Sequence, residues 1–174
     1  CDHCGRLTVQ APLQQLIHRL DAAVAAPGNV LPQAVTAALG EAVAAGPWLS
    51  PEQQRAGHDH YTRHVVYADP EDRYTIVSIA WGSGQQSPIH GHHTWCGVAV
   101  YSGTVVETFY ETAGNNVPPR PLRSTVRERG TLSFDADQTG IHRIANTAPD
   151  TAVSIHIYGV GGTRIATDVN RVLG

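Results

Sequence analysis

The chain has 174 residues, of which 41% are hydrophobic and 16% charged, a composition that supports a folded core and is not typical of disordered proteins. Its formal net charge of −3 is opposite in sign to that of nucleic-acid-binding surfaces. No apolar run approaches the roughly 20 residues needed to cross a membrane, and the polar residues 1–6 do not resemble a signal peptide. We therefore expect neither nucleic acid nor membrane as a partner.

Residues 7–46 are predicted to form two helices. Apolar residues recur at helical spacing from Leu13 to Leu20, with polar residues between them. Pro27 breaks this pattern, and an alanine-rich second helix is predicted from about Leu31. These helices are expected to cover one side or end of the domain that follows.

From His60 onward, short runs rich in Val, Ile, Thr and Tyr alternate with turn residues. Many short strands at regular spacing are typical of a β-sandwich or barrel. We predict a mainly β barrel over residues 60–170, in one domain that spans residues 1–174. The predicted strands are 61–67, 74–81, 95–101, 104–111, 122–126, 131–134, 141–146 and 152–158.

The three cysteines do not indicate a disulfide framework, because their number is small and odd. A reducing, cytoplasmic location is the default expectation. Cys1 and Cys4 have the spacing of half a zinc site, but a single such pair is weak evidence, and a frayed terminus is the alternative. The third cysteine, Cys96, is interpreted below.

Histidine is unusually frequent, with ten residues in the chain, and imidazole is the commonest metal ligand. His90 and His92 are two residues apart, so on a strand both side chains point to the same side. An isolated pair of this kind is also common on protein surfaces. His142 is a candidate third ligand, since a barrel brings distant strands together.

These segments resemble the two sequence motifs of the cupins. Gly84 precedes His90 and His92 at the spacing of the first motif, and Gly103 matches its final glycine. The second motif ends in a histidine and, four residues later, an asparagine, as do His142 and Asn146. The resemblance covers roughly residues 80–160 and implies a cupin β-barrel, which is a double-stranded β-helix or jelly roll.

The glutamate of the first cupin motif is missing, and Cys96 and Gly97 stand at its expected positions. Three neutral imidazoles would leave a divalent ion with its full charge, which favours an anionic ligand such as a thiolate. Open facial sites suit non-haem Fe(II), although zinc also accepts three histidines.

Ser154, His156 and Tyr158 occupy alternate positions of one predicted strand, so they share a face. One interpretation is a half-buried strand with its polar side in water. The alternative is a polar barrel interior around a ligand, in which the hydroxyl and imidazole hold the phenol in place.

With these residues the chain resembles the thiol dioxygenases, the cysteine dioxygenase branch of the cupins. The resemblance is carried by four segments in the family's order: Tyr61-Thr-Arg63, His90-Gly-His92, Gly-Ile-His142-Arg-Ile-Ala-Asn146 and Ser154-Ile-His156-Ile-Tyr158. It implies one Fe(II) per chain on His90, His92 and His142. Arg63 would bind the substrate carboxylate with Tyr61 beside it. Tyr158 would orient substrate and oxygen, supported by His156 and Ser154.

The implied activity is oxidation of L-cysteine by O2 to cysteine sulfinic acid, by a monomer or small homo-oligomer. The glycine-rich tail after Tyr158 is closer to bacterial members, some of which use 3-mercaptopropionate and bind its carboxylate through a C-terminal arginine. Arg164 and Arg171 are the candidates for that role here, and Arg63 favours cysteine. A non-catalytic cupin that binds a metal or ligand, and a zinc or nickel isomerase or lyase, are minor alternatives.

Animal members of the family crosslink the active-site tyrosine to a cysteine that follows the second ligand. That position aligns with Gly97, so we expect no crosslink. Cys96 is expected to point away from the site as a packed thiol.

Overall fold

A computed structural model of the chain describes residues 3–112, 117–136 and 140–173, with side chains described from residue 11 onward. Helices α1 (His3–Ala25) and α2 (Leu31–Ala44) flank a single 3-10 turn at Gly28–Val30. The predicted break at Pro27 is confirmed, because this residue directly precedes the turn. None of the described helices has the length and apolarity required to cross a membrane.

Ten strands lie in the described part of the chain, and they form two five-stranded antiparallel sheets, here sheet A and sheet B. Sheet A has the order β1-β2-β9-β4-β7, and sheet B has the order β10-β3-β8-β5-β6. The strands are β1 Thr62–Ala68, β2 Thr75–Trp81, β3 His90–His92, β4 Cys96–Ser102, β5 Thr104–Glu111, β6 Arg120–Glu128, β7 Leu132–Asp135, β8 His142–Ala145, β9 Ala152–Tyr158 and β10 Asn170–Val172.

This architecture is the predicted double-stranded β-helix with N-terminal helices packed on it. The eight predicted strands are all present, whereas β3 and β10 were not among them, although His90 and His92 were interpreted as two residues of one strand. Each of these two has only three residues, too few for a two-residue alternation to stand out. Both lie at the edge of sheet B where two of the candidate metal ligands are found.

The two faces of sheet A are buried for different reasons. Its outer face, which includes Ile76, Ile155 and Ile157, packs against Leu20 and Leu39 of the helices, and all five are fully buried. Its inner face belongs to a second apolar cluster between the sheets. Burial of both faces explains why β2 is mostly apolar. The residues of β9 are all buried too, but its inner face carries polar side chains.

The motif glycine Gly103 has a structural role at the turn between β4 and β5. Its φ is +70°, a conformation that favours glycine, and a Cβ there would lie 2.9 Å from the Cα of Ala152. The close approach of the β9 backbone therefore requires glycine at this position.

Candidate metal centre

Three buried imidazoles converge between the sheets. His90 and His92 extend from β3, and His142 on β8 lies directly opposite His90 in the strand register. One ligand atom from each of the three side chains lies within 4.8 Å of the others. The predicted grouping of these histidines is therefore confirmed, and together they can hold a metal ion.

Each imidazole is oriented by a hydrogen bond at its Nδ1 atom. His90 contacts the backbone carbonyl of Pro88 at 3.0 Å, and His92 contacts Asp135 Oδ2 at 3.0 Å. The partner of His142 is considered below. A donor role for every Nδ1 leaves each Nε2 with a free lone pair, as metal ligation requires.

His142 donates from Nδ1 to Glu107 Oε1 at 2.7 Å, and Glu107 is buried. Its Nε2 is buried and has no hydrogen-bond partner among the described residues. An orphaned buried nitrogen is costly unless something ligates it. The donor set, the Nδ1 contacts and this orphaned atom fit a divalent metal.

Sequence analysis missed Glu107 and Asp135 as partners of the ligands. The available signal was a single acidic residue inside the apolar run of β5, where a buried charge needs a partner. No spacing rule connects Glu107 or Asp135 with the histidines, because they meet only across strands.

Burial keeps the imidazoles of His90 and His92 neutral. Burial, and secondly the neighbouring His142, lower the pKa of His90 to about 3. Burial also lowers the pKa of His92, although its bond to Asp135 acts in the opposite direction. A neutral ring is the form that binds a metal, so protons compete weakly at neutral pH.

The lowered pKa of His90 predicts acid sensitivity of the metal-free protein. An unfolded chain, in which histidine titrates near 6.5, takes up protons between about pH 6.5 and 3 that the folded state does not, so stability falls as pH falls through this window. By this linkage His90 alone contributes a loss of about 2 kcal/mol in unfolding free energy between pH 7.5 and 5. Urea unfolding at both pH values measures it.

Replacement of His90 by glutamine should flatten this pH dependence. The control is His58→Gln, which removes a fully exposed histidine. An equal pH dependence in the His90→Gln and His58→Gln proteins would show that His90 is not the group responsible.

Ser154, His156 and Tyr158 lie on the inner face of β9 and are all buried. Ser154 Oγ is 2.9 Å from His156 Nε2, and Tyr158 Oη is 3.1 Å from His156 Nδ1. Because every residue of β9 is buried, the interpretation of a strand with its polar side in water is wrong. The rings of Tyr158 and His92 have their centroids 6.0 Å apart, so this polar row reaches the metal ligands.

Trp81 extends the polar row and was missed by sequence analysis. Its Nε1 donates to Ser154 Oγ at 2.9 Å. Its ring stacks on Tyr61, with centroids 4.6 Å apart. Trp81 therefore connects the two predicted groups of site residues.

Arg63 is exposed, and its positive charge contributes to the electrostatics of the site. It lies on β1, with its Cζ 5.8 Å from the Tyr61 ring centroid. After burial and other imidazoles, its charge contributes to the lowered pKa of both His90 and His156.

The two C-terminal arginines have other surroundings. Arg164 forms ion pairs with Asp72 and Asp168 on the surface. Arg171 lies opposite Gly91 in the register, with Nη2 3.2 Å from where a Gly91 Cβ would be. Because side chains alternate along a strand, Arg171 is on the face of β3 away from the imidazoles.

Cys96 differs from expectation. It lies opposite Tyr158 in the register and belongs to the same inner cluster, with Sγ 4.0 Å from His156 Nδ1. Gly97 instead faces α2, since a Cβ there would lie 2.6 Å from Val35 Cγ1. The prediction that Cys96 points away from the site is therefore wrong. A side chain at position 97 would point away from Tyr158.

Burial holds the pKa of the Cys96 thiol well above its usual range, so the sulfur is protonated. That no crosslink forms at Tyr158 stays a prediction, but the presence of Gly97 no longer supports it, because Gly97 faces α2. Cys1 and the side chain of Cys4 lie outside the described part of the structure. The zinc site and the frayed terminus therefore both stay predictions for this pair.

A cavity of about 260 Å3 adjoins the imidazoles on the side of β5 and β7. Its lining includes His92, His142, Cys96, Phe109 and Arg123. The guanidinium of Arg123 lies 4.2 Å from the Phe109 ring centroid. There is thus room beside His92 and His142 for a small molecule.

Comparison with known proteins supports both the fold and the family. The chain is similar in structure to TT1209 from Thermus thermophilus, with a TM-score of 0.50, 17% identity, and coverage of 64% of this chain and 95% of that one. For an uncharacterized conserved protein with a double-stranded β-helix domain from Klebsiella pneumoniae, the TM-score is 0.49 and the identity is 18%. The match covers 71% of this chain and 92% of that one. For a cupin 2 conserved barrel domain protein from Rhodopseudomonas palustris, the TM-score is 0.49 and the identity is 16%. The match covers 64% of this chain and 66% of that one.

At these identities, structural similarity to TT1209 supports the fold alone. The family follows from sequence. The family model for cysteine dioxygenase type I matches residues 35–162, which is most of the chain and includes all three candidate ligands. The chain therefore belongs to the cysteine dioxygenase type I family.

Proposed function

We propose that this protein is an Fe(II)-dependent thiol dioxygenase that converts L-cysteine and O2 to cysteine sulfinic acid. The observation that carries the proposal is the set of three buried imidazoles, each oriented through Nδ1, within reach of the charge of Arg63. Membership of the family supports the reaction class.

His90, His92 and His142 would hold the iron. Bound Fe(II) would supply dioxygen activation and would favour the deprotonated form of a coordinating thiol. The protein excludes bulk water from this chemistry, because the three ligands are nearly inaccessible to solvent. Both oxygen atoms of O2 are transferred to sulfur, which gives the sulfinate level of oxidation.

Arg63 would bind the substrate carboxylate. A guanidinium matches a carboxylate with two parallel hydrogen bonds, which fixes orientation as well as position. Tyr61 is held against Trp81 and lies beside the Arg63 guanidinium, so it limits where that group can move.

Tyr158 would donate a hydrogen bond to the reacting groups, and the order of the hydrogen bonds on β9 supports this role. Trp81 Nε1 can only donate, so Ser154 Oγ accepts from it and passes its own hydrogen to His156 Nε2. His156 Nδ1 then donates to Tyr158 Oη, which leaves the phenolic hydrogen for the site. In the reverse order, the Ser154 hydrogen has no acceptor among the hydrogen bonds of the described residues.

Tyr158→Phe is expected to lower kcat by about 10- to 150-fold, the cost of one hydrogen bond to a charged group, while iron content stays unchanged. Steady-state O2 consumption and metal analysis on the same preparation measure both quantities. Burial raises the pKa of Tyr158 well above its usual range, so the phenol should remain a donor throughout the assay range. A Tyr158→Phe enzyme with wild-type kcat would remove this residue from the mechanism.

The proposed function is tested by O2 consumption of the iron-loaded protein with L-cysteine and, separately, with 3-mercaptopropionate, with products identified by mass. Stoichiometric formation of cysteine sulfinate at a higher kcat/KM than the other sulfinate supports the proposal. A preference for 3-mercaptopropionate would assign a different thiol to the same site. No O2 uptake with either thiol, in protein that holds iron, would contradict the dioxygenase function.

A further inference from the structure

A buried ion pair lies directly behind one of the proposed iron ligands. Glu107 on β5 accepts from His142 through Oε1 and from Arg127 on β6 through Oε2, with Arg127 Nε at 3.0 Å and Nη2 at 2.9 Å. Glu107 is 6% exposed, and the Arg127 side chain is mostly buried. The carboxylate is therefore held from both sides and has little freedom to reorient.

The three ligands differ in the charge of their hydrogen-bond partners. His90 has a neutral backbone carbonyl, and His92 has the carboxylate of Asp135. His142 has a carboxylate whose charge is offset by a guanidinium. A negative partner makes an imidazole a stronger electron donor to a metal, and a cation behind that partner weakens the effect.

We propose that Glu107 and Arg127 act as a pair of positioning residues for His142. The carboxylate fixes the hydrogen on Nδ1 and directs Nε2 to the metal, and the guanidinium fixes the carboxylate and limits its charge. Together they set how strongly His142 stabilises oxidised over reduced iron. This inference rests on the proposed iron site, and it does not depend on which thiol is the substrate.

The two charges predict shifts of opposite sign in the Fe(III)/Fe(II) midpoint potential. Glu107→Gln keeps a hydrogen-bond acceptor of the same shape and removes the negative charge, so Fe(III) is less stabilised and the potential rises. Arg127→Gln removes the positive charge and leaves the carboxylate, so the potential falls. The double variant removes both charges and should lie between the two single variants.

Redox titration of the iron-loaded proteins measures these shifts, with iron per chain determined on each sample. Glu111→Gln and Arg120→Gln are matched controls, because Glu111 and Arg120 form a similar pair across the same two strands, exposed to solvent. Both controls should have the wild-type potential. Arg127→Lys keeps the positive charge, so its potential should lie closer to wild type than that of Arg127→Gln. This comparison tests the role of the charge even if Glu107→Gln fails to fold.

Iron-loaded Arg127→Gln and Glu107→Gln proteins with the wild-type potential would overturn the inference. Shifts of the same sign in both would do so too, because a merely structural disturbance does not distinguish the two charges. Wild-type protein that binds no iron would overturn the metal site itself and this inference with it. Iron-loaded wild-type protein that fails to oxidise thiols would contradict only the proposed function.

Discussion

Replacement of His142 by alanine is expected to abolish iron binding and, with it, thiol oxidation. His142 is one of three converging imidazoles, and the remaining two both come from β3. Loss of an outer partner alone typically lowers metal affinity by 10- to 100-fold, so loss of a ligand should lower it by more than about 100-fold. Metal analysis after dialysis against a weak chelator measures the affinity.

The matched control for this experiment is His93→Ala. His93 directly follows a proposed ligand but is exposed, and its backbone rather than its ring bonds to Val169. The His93→Ala protein should bind iron with the wild-type affinity. A His142→Ala protein with full iron content and activity would refute the ligand assignment.

Replacement of Arg63 by glutamine is expected to lower kcat/KM for L-cysteine by roughly 10- to 150-fold. This range corresponds to the ~1.5–3 kcal/mol that a hydrogen bond to a charged group contributes, because Arg63 is exposed in the structure. Cysteamine has the thiol and amine of cysteine without the carboxylate, so its kcat/KM should change little. Steady-state kinetics with both thiols separate the two effects.

Arg63→Lys should recover only part of the activity, because an ammonium cannot form the two parallel bonds of a guanidinium. Arg164→Gln serves as the control, since Arg164 is paired with Asp72 and Asp168. If Arg164→Gln lost activity with cysteine and Arg63→Gln did not, the carboxylate site would have to be moved to the C-terminal segment.

The sequence was sufficient to predict the three-histidine centre because its information is local. Residues two positions apart on one strand point to the same side, which relates His90 to His92. The second motif supplies His142. The same alternation correctly grouped Ser154, His156 and Tyr158 on one face of β9. The pairing of His90 with His92 and the grouping on β9 depend only on spacing within a strand, whereas His142 depends on the match to the second motif.

Cys96 shows where a match to a family motif fails. The cysteine position of animal members was matched to Gly97, and this match gave the inward position to Gly97. In the structure Cys96 belongs to the inner cluster and Gly97 faces α2. An error of one residue in such a match reverses the side on which every residue of β4 is placed.

Glu107 and Trp81 could not have been assigned to the site for a different reason. Their roles depend on contacts across strands, Glu107 with His142 and Trp81 with Ser154. In sequence Trp81 is simply another apolar residue of a buried strand. Only the strand order and register of the two sheets place these pairs in contact.

The pairing of β3 has a consequence for the lifetime of the iron-free state. This strand carries His90 and His92, yet a single residue pair joins it to β8, and its other neighbour is the three-residue β10. An ion bound to His90, His92 and His142 would therefore connect β3 to the rest of sheet B more firmly than its backbone does. Without metal, amide hydrogens of β3 and β10 should exchange with solvent through local opening, well before the helix-backed strands β2 and β9. Local opening at this edge would then make β3 and β10 accessible to proteases in the iron-free protein.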